Sequence, residues 1–173
     1  MRIILLICFV FIANFANSQN ITFDQAQNLR KKSLVYVEAF LTARGWSMTK
    51  AEEETDDKMG SATFGYKVDM FDSEKASGWI SFLISSTGNS SNRISIQIHK
   101  PSLYTSFIAR LKPNGYKLIS TNIEDGRIKK KYANSTTTCV VTTSTSEGTY
   151  TRGPTYKFFF IDNFSYALNY END

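Results

Sequence analysis

Apolar residues recur along the chain with two periods, and the first period is helical. One stripe with steps of three and four residues consists of Ala26, Leu29, Ser33, Val37, Phe40 and Leu41. Thr22 and Gln25 fit a capping box, in which each side chain bonds the other residue's backbone N–H. Gly45 supplies the left-handed residue that commonly ends a helix. The pattern predicts one continuous helix over residues 22–44.

The second period is two residues, which is typical of strands with one buried face. It is clearest in Arg93–His99, where isoleucine occupies every second position. Four strands are predicted in this part of the chain: Trp46–Lys50, Thr63–Met70, Trp79–Ser85 and Arg93–His99. The acidic run 52–57 and the Ser/Gly/Asn segment 85–92 are predicted to be loops.

The same order of elements then occurs again. Pro101 stands where proline is favoured, in the first turn of a helix, and Asn114-Gly115 ends that helix. Its apolar stripe consists of Leu103, Tyr104, Phe107, Ile108 and Leu111. Four further strands are predicted: Tyr116–Ile123, Arg127–Tyr132, Thr138–Ser144 and Tyr156–Ile161. Residues 162–173 are predicted to be a C-terminal tail. The tail residues able to pack on the body are Phe164, Tyr166 and Leu168.

A helix followed by four strands occurs twice along the chain, which indicates an α+β fold with antiparallel sheet. A glycine followed by an aromatic residue marks the same helix-to-strand junction at residues 45–46 and 115–116. We interpret the pattern as two degenerate repeats, residues 19–100 and 101–161, with the helices packed on one face of the sheet. The alternative is coincidence, because helix–glycine–strand junctions are common.

In element order the chain resembles the secreted β-lactamase inhibitor proteins, which also have a helix and four strands in duplicate. The resemblance implies a binding protein with no catalytic equipment and with an open sheet face. It is a resemblance of topology, which does not determine function. No motif of this sequence carries an inhibitory residue across.

The N-terminus has the parts of a secretory signal peptide. A basic second residue precedes the apolar run Ile3–Ile12, and small residues follow it. We expect residues 1–18 to be cleaved between Ser18 and Gln19, so that the protein is exported to the periplasm or secreted. An uncleaved anchor is the alternative, but the apolar run falls short of the roughly 20 residues needed to cross a bilayer.

Cleavage changes what the composition implies. Of the 2 cysteines in 173 residues, Cys8 belongs to the signal peptide, so Cys139 has no intramolecular disulfide partner. The remaining 155 residues are long enough to bury a hydrophobic core, which is the expected source of stability. The net charge of +4 is modest. With export predicted, we expect no nucleic-acid partner, and no membrane-spanning segment after cleavage.

Few residues suit catalysis or metal binding. His99 closes a predicted strand and Cys139 lies within an apolar one, so neither indicates a general base or a nucleophile. One His and one Cys cannot supply the ligands of a metal site, and no glycine motif for phosphate is present, so no cofactor is predicted. The acidic run 52–57 leaves a carboxylate-dependent hydrolase as a lesser alternative.

The leading hypothesis is an exported, non-enzymatic binding protein that acts on a protein partner as an inhibitor, immunity or accessory factor. Aromatic residues of the sheet and the basic strand after Gly126 provide the candidate contacts. The candidate binding residues are Trp46, Trp79, Tyr116, Lys129 and Lys131. For each aromatic residue taken singly, the alternative is a place in the core. The runner-up function is an envelope or surface module that binds lipid or glycan.

Overall fold

The computed structural model describes residues 21–56, 58–72, 75–85, 91–144 and 153–170. The predicted signal peptide, residues 1–18, and the predicted cleavage point between Ser18 and Gln19 lie outside the described residues. Within the described residues the chain forms four helices and one antiparallel sheet of eight strands. The predicted α+β class with antiparallel sheet is therefore confirmed.

Two short helices replace the single helix predicted over residues 22–44. Helix α1, Phe23–Leu29, begins with the predicted capping box. Helix α2, Leu34–Thr42, begins after Ser33, whose extended backbone interrupts the helix and whose hydroxyl accepts a hydrogen bond from the backbone N–H of Tyr36. Serine is favoured at such a cap because its hydroxyl competes for backbone groups inside a helix. The prediction of one continuous helix was wrong for this reason.

The eight strands follow in the predicted order. The first half of the chain forms β1 (Trp46–Glu52), β2 (Gly60–Tyr66), β3 (Gly78–Ile84) and β4 (Arg93–Ile98). The second half forms helix α3 (Pro101–Leu111) and strands β5 (Lys117–Glu124), β6 (Arg127–Ala133), β7 (Thr137–Ser144) and β8 (Thr155–Asp162). Strand β2 departs from its predicted end at Met70. It stops at Tyr66 because the left-handed backbone of Lys67, with φ of 50°, turns the chain out of the sheet.

The strand order across the sheet is β1-β2-β3-β4-β8-β7-β6-β5. Strands β1 to β4 form one antiparallel meander, and strands β5 to β8 form another. The meanders join where β4 pairs with β8, in a register that sets Ile96 opposite Phe158. The two predicted halves therefore contribute to one sheet, and the last strand of each half lies at its centre.

Apolar side chains from one face of the sheet form the core together with residues of α1, α2 and α3. Its aromatic centre is Phe23 of α1, which is 2% exposed. Three rings meet the Phe23 ring edge-on at centroid distances of 5.3 to 6.0 Å: Phe107 of α3, Tyr116 and Phe160 of β8. Such edge-to-face pairs add to the stabilisation from burial alone. Helix α1, in the first half of the chain, therefore packs against residues of the second half.

A fourth helix, α4 (Asn163–Tyr170), lies in the segment predicted to be a tail. Phe158 of β8 contacts Phe107 of α3, whereas the next residue, Phe159, contacts Tyr170 of α4. Successive residues of a strand point to opposite faces, so α4 lies on the face opposite α3. The prediction that the helices occupy one face does not extend to α4, which gives the open face of the sheet a wall.

Replacing Phe23 with alanine tests its place at the centre of the core. We expect Phe23→Ala to lower the free energy of unfolding by about 3–5 kcal/mol, because the change leaves a cavity among three rings. Urea denaturation followed by circular dichroism measures the loss. Phe164→Ala is the control, since Phe164 is 69% exposed and its removal should change stability by no more than about 0.5 kcal/mol. Similar losses in the two variants would contradict the assignment.

Candidate functional site

The open face of the sheet, opposite the core, has small polar residues in register near its centre. Ser81 of β3 pairs with Ser95 of β4, and Ser95 pairs with Phe159 of β8. The row continues across β7, β6 and β5 as Val140, Lys131 and Ser120. Because serine side chains are short, space remains above the sheet, and a groove of about 770 Å³ occupies it.

Three lysines line the groove. Lys129 and Lys131 point to the open face, while Lys130 between them points to the other face, as alternation along β6 requires. Lys157 joins them from β8. Glu124 is the one carboxylate among the described residues that line the groove, and its oxygen lies 3.1 Å from the Lys129 ammonium. The excess of positive charge favours an anionic ligand.

Tyrosines of α4 form one wall of the groove. The Tyr170 ring packs edge-on against Phe159 at 5.7 Å, and its hydroxyl accepts a hydrogen bond of 2.8 Å from the Arg93 guanidinium. Tyr166 stacks on Tyr170 at 5.5 Å, and the Lys131 ammonium lies 5.0 Å from the centroid of the Tyr166 ring. The groove therefore offers aromatic surface next to positive charge.

A polar cluster of Arg30, Ser91, Thr137, Asp162 and Ser165 holds the first turn of α4 in place. The Arg30 side chain, which is 7% exposed as a residue, donates to the hydroxyls of Ser91 at 3.2 Å and Thr137 at 3.3 Å. The Ser91 hydroxyl donates to the Asp162 carboxylate, which also accepts a bond of 2.8 Å from the backbone N–H of Ser165. This cluster joins helix α1, the segment that precedes β4, strand β7 and helix α4.

The polar cluster shifts the pKa values of its two ionisable members. Burial lowers the pKa of Arg30, and the neighbouring charge of Asp162 opposes part of that change. Burial alone would raise the pKa of Asp162, but hydrogen bonds from Ser91 and Ser165 bring it below its ordinary value. The ionised carboxylate is therefore the form that accepts the bonds holding α4.

The structure separates the five predicted binding residues. Trp46 and Tyr116 are 2% and 5% exposed, so their side chains belong to the core. Trp79 points to the open face, where its ring lies over β2 and outside the groove. Lys129 and Lys131 both line the groove. The structure thus brings together the two basic candidates and none of the aromatic ones.

Among the groove residues that the sequence reasoning did not select are Lys157, Tyr166 and Tyr170. Lys157 interrupts an otherwise apolar strand, which indicates a position on the exposed face. Tyr166 and Tyr170 are four residues apart, the spacing of one helix face, within a segment that was not predicted to be helical. The small polar residues of the floor carry no local signal, because serine and threonine are ordinary on any solvated strand face.

The thiol of Cys139 and the imidazole of His99 lie away from the groove. Cys139 is fully buried, and burial raises the pKa of its thiol well above the ordinary value. Half-buried His99 has its ring nitrogens 3.3 Å from the amide nitrogen of Gln97 and 3.4 Å from the hydroxyl of Thr155, and burial lowers its pKa. Each of these groups is kept in its neutral form by loss of solvent.

The acidic run begins inside the sheet rather than in a loop. Glu52 ends β1, and its carboxylate pairs with Lys50 at 2.6 Å and with Lys58. These hydrogen bonds lower the pKa of Glu52 to about 2. Asp57, the last acid of the run, lies outside the described residues. In the described part of the chain, no group of three or more His, Cys, Asp or Glu is placed to hold a metal ion.

The sequence has four Asn-x-Ser/Thr sequons for N-glycosylation, and two of them, Asn20 and Asn89, begin outside the described residues. The other two use their side-chain amides within the fold. Nδ2 of Asn134 donates to the carbonyl of Asn114 at 3.1 Å, and Nδ2 of Asn163 donates to the carbonyl of Asn134 at 2.9 Å. These bonds tie the turn before β7 to the segment after α3 and to the first residue of α4.

Comparison of the chain with protein-family models, curated proteins and solved structures found no match. The resemblance to the secreted β-lactamase inhibitor proteins therefore rests on element order alone. Of the helices in the described ranges, none has the length and apolar character needed to cross a membrane.

The pKa of Asp162 makes the stability of the protein depend on acid pH. Because the pKa is depressed below the ordinary 3.8, ionised Asp162 stabilises the fold above that pH, and the stabilisation is lost as the pH falls through the folded-state value. We expect Asp162→Asn to have a lower Tm than wild type at neutral pH, and the difference to shrink as the pH falls below 3.8.

Thermal unfolding followed by circular dichroism from about pH 7 to pH 2.5 measures this difference. Asp125→Asn, in the exposed turn between β5 and β6, is the control and should follow the wild-type curve. A Tm difference between wild type and Asp162→Asn that stays constant over this range would contradict the role of the ionised carboxylate.

Proposed function

We propose that this chain is an exported, non-enzymatic binding protein that holds an acidic segment of a protein partner in the groove of its open sheet face. The observation that carries the proposal is the groove itself, in which Lys129, Lys131 and Lys157 stand beside the tyrosine wall of α4. Tyrosine is enriched at the energetic centres of protein interfaces, and the lysines add electrostatic attraction for an acidic partner.

Charge supports an acidic partner. Three ammonium groups line the groove against one carboxylate, that of Glu124, among the described lining residues. An acidic segment would be attracted to these ammonium groups over a distance of about 8 Å at physiological salt. The hydroxyls and amide of the floor, from Ser81, Ser95 and Asn122, can bond the backbone of such a segment.

The runner-up is an envelope or surface module that binds glycan. The Tyr166 and Tyr170 rings beside hydroxyl-bearing strands also suit a sugar, so this alternative has its own support. Lipid is less suited, because a lipid chain calls for an enclosed apolar cavity. A two-acid hydrolase is less suited to this groove than either binder, because it needs a second carboxylate near Glu124.

We also infer that the two halves of the chain arose by duplication. Matching features occur at a spacing of 70 residues, from the helix that precedes the first strand of each half (α2 and α3) to the start of that strand. The pairs are Val37 and Phe107, Leu41 and Leu111, Gly45 and Gly115, and Trp46 and Tyr116. All eight residues have matching roles: buried helix positions, left-handed glycines with φ of 78° and 77°, and buried aromatic rings.

A shared irregularity strengthens the inference. The pairing of β1 with β2 shifts register between Met48 and Lys50, and the pairing of β5 with β6 shifts between Leu118 and Ser120. Bulges are retained within families because they set the twist of an edge strand. The two bulges fall 70 residues apart, which coincidence does not readily explain.

The halves differ where the groove needs charge. The row of cross-strand neighbours that includes Lys131 of β6 extends to β2, the corresponding strand of the first half. The residue of β2 in that row is Thr63. Binding of an acidic segment is therefore assigned to the second half, and the first half supplies part of the floor.

Neutralising the groove lysines tests the proposed function. We expect the variant with Lys129, Lys131 and Lys157 replaced by glutamine to capture its partner at least about tenfold more weakly than wild type, because charge-assisted hydrogen bonds are lost. Wild type and variant are immobilised and exposed to native envelope extract and culture medium, and the captured proteins are quantified by mass spectrometry. Wild-type capture should also weaken with added salt.

The matched control replaces Lys31, Lys100 and Lys112, all exposed and outside the groove, with glutamine. It removes the same formal charge and should capture the partner as wild type does. Equal capture by both triple variants would overturn the groove as the partner site. Capture of a polysaccharide in place of a protein, lost in Tyr166→Ala and kept in the lysine variant, would replace the proposal with the glycan-binding alternative.

A further inference from the structure

The outer edge of β5 is an open sheet edge with unusual composition. Strand β5 is last in the strand order, and no described strand pairs with its outer side. Seven of its eight residues are exposed, including three large apolar ones: Leu118 and Ile119 at 55% each and Ile123 at 79%. An exposed apolar edge of this kind is a ready template for another strand.

The two edges of the sheet are protected differently. At the β1 edge, Lys50 lies within the strand next to Glu52, and a charged residue in an edge strand discourages pairing. In β5 the only charged residues are the first and the last, Lys117 and Glu124. The bulge is common to both edges, so the difference lies in the side chains.

We propose that two copies of this chain associate through antiparallel pairing of their β5 strands around a two-fold axis at Thr121. The occupant of the edge is thus a second copy. Antiparallel self-pairing places each residue opposite its counterpart across the axis, so a strand pairs well with itself only when its two ends are complementary.

The ends of β5 are complementary in charge and in apolar character. With Thr121 opposite Thr121 of the second copy, Ser120 lies opposite Asn122. The bulge then places two residues, Leu118 and Ile119, opposite Ile123 of the second copy. Beyond it, Lys117 lies opposite Glu124.

The bulge also places the paired residues of the two copies on the same side of the sheet, as pairing across strands requires. Leu118 is paired with Tyr132 and Ile123 with Ile128, positions that lie on the helix side by register, whereas Lys117 and Glu124 both lie on the open side. Ile123, in the outermost strand, also borders the groove. If Ile119 were paired in regular register instead of bulged, Leu118 would lie opposite Glu124 of the second copy. The irregular register of β5 is therefore matched to self-association.

The dimer has a consequence for the groove. A two-fold axis perpendicular to the sheet keeps both open faces on the same side. Ser120, Asn122 and Glu124 of β5 belong to the groove lining, so the grooves of the two copies would adjoin across the new strand pair. The inference does not depend on what the grooves bind.

Charge reversal across the proposed pair tests the dimer. We expect Lys117→Glu and Glu124→Lys each to raise the dimer dissociation constant about tenfold or more, because each sets like charges opposite one another at both ends. Sedimentation velocity over a concentration series measures the mass. The double variant should regain the dimer, and an equimolar mixture of the two single variants should form a heterodimer, because each copy then supplies the charge the other needs.

Glu124→Lys also removes the ion pair between Glu124 and Lys129 within one copy. Recovery of the dimer in the mixture would show that the loss of this ion pair is not what weakens association. Lys50→Glu makes the same charge change on the β1 edge and should leave the mass unchanged. A wild-type protein that stays monomeric across the series would overturn the proposal. So would a dimer that is weakened equally by Lys50→Glu and Lys117→Glu.

A cysteine at the two-fold axis gives a second, independent test. Thr121→Cys should form a disulfide-linked dimer under mild oxidation, because the two thiols would face each other, and wild type should not, since Cys139 is fully buried. Ala51→Cys is the matched control, as Ala51 is exposed on β1 at the position 70 residues earlier. Non-reducing electrophoresis reads the product, and equal crosslinking of the two variants would overturn the proposed register.

Discussion

The pairing of β4 with β8 is the constraint on which the rest of the structure depends. It joins the two meanders into one sheet and sets Ile96 opposite Phe158 across 62 residues of chain. Both residues are fully buried, so a slip of one position would move apolar side chains to the open face. Pairing at such sequence separation costs loop-closure entropy, and contacts of this kind slow folding.

Local features of the fold were predictable because they have local causes. Strand β4 follows the alternation of its own residues, and the capping box of α1 follows from Thr22 and Gln25. The errors also have local causes: Ser33 caps a new helix, and Lys67 adopts a left-handed backbone. The partner of β4 was not predictable, since any of several apolar strands satisfies the same pattern.

The candidate site was only partly predictable, because its residues come from distant segments. Lys129 and Lys131 could be identified from alternation within β6. The floor could not, as Ser81, Ser95 and Thr142 meet only once β3, β4 and β7 are arranged around β8. Trp46 and Tyr116 were candidates because large aromatic residues suit interfaces, yet the repeated helix–glycine junction sends both into the core.

The short length of α4 has a consequence for the groove it borders. An isolated helix of eight residues is unstable in water, so α4 persists through its anchors, Asp162 and Ser165 at one end and Arg93 with Tyr170 at the other. Segments held by few contacts open locally while the sheet stays folded, and their amide hydrogens exchange faster with solvent. A ligand that contacts the tyrosines favours the attached state of α4 and so slows that exchange. Part of its binding free energy is then used to keep the two turns of α4 on the sheet.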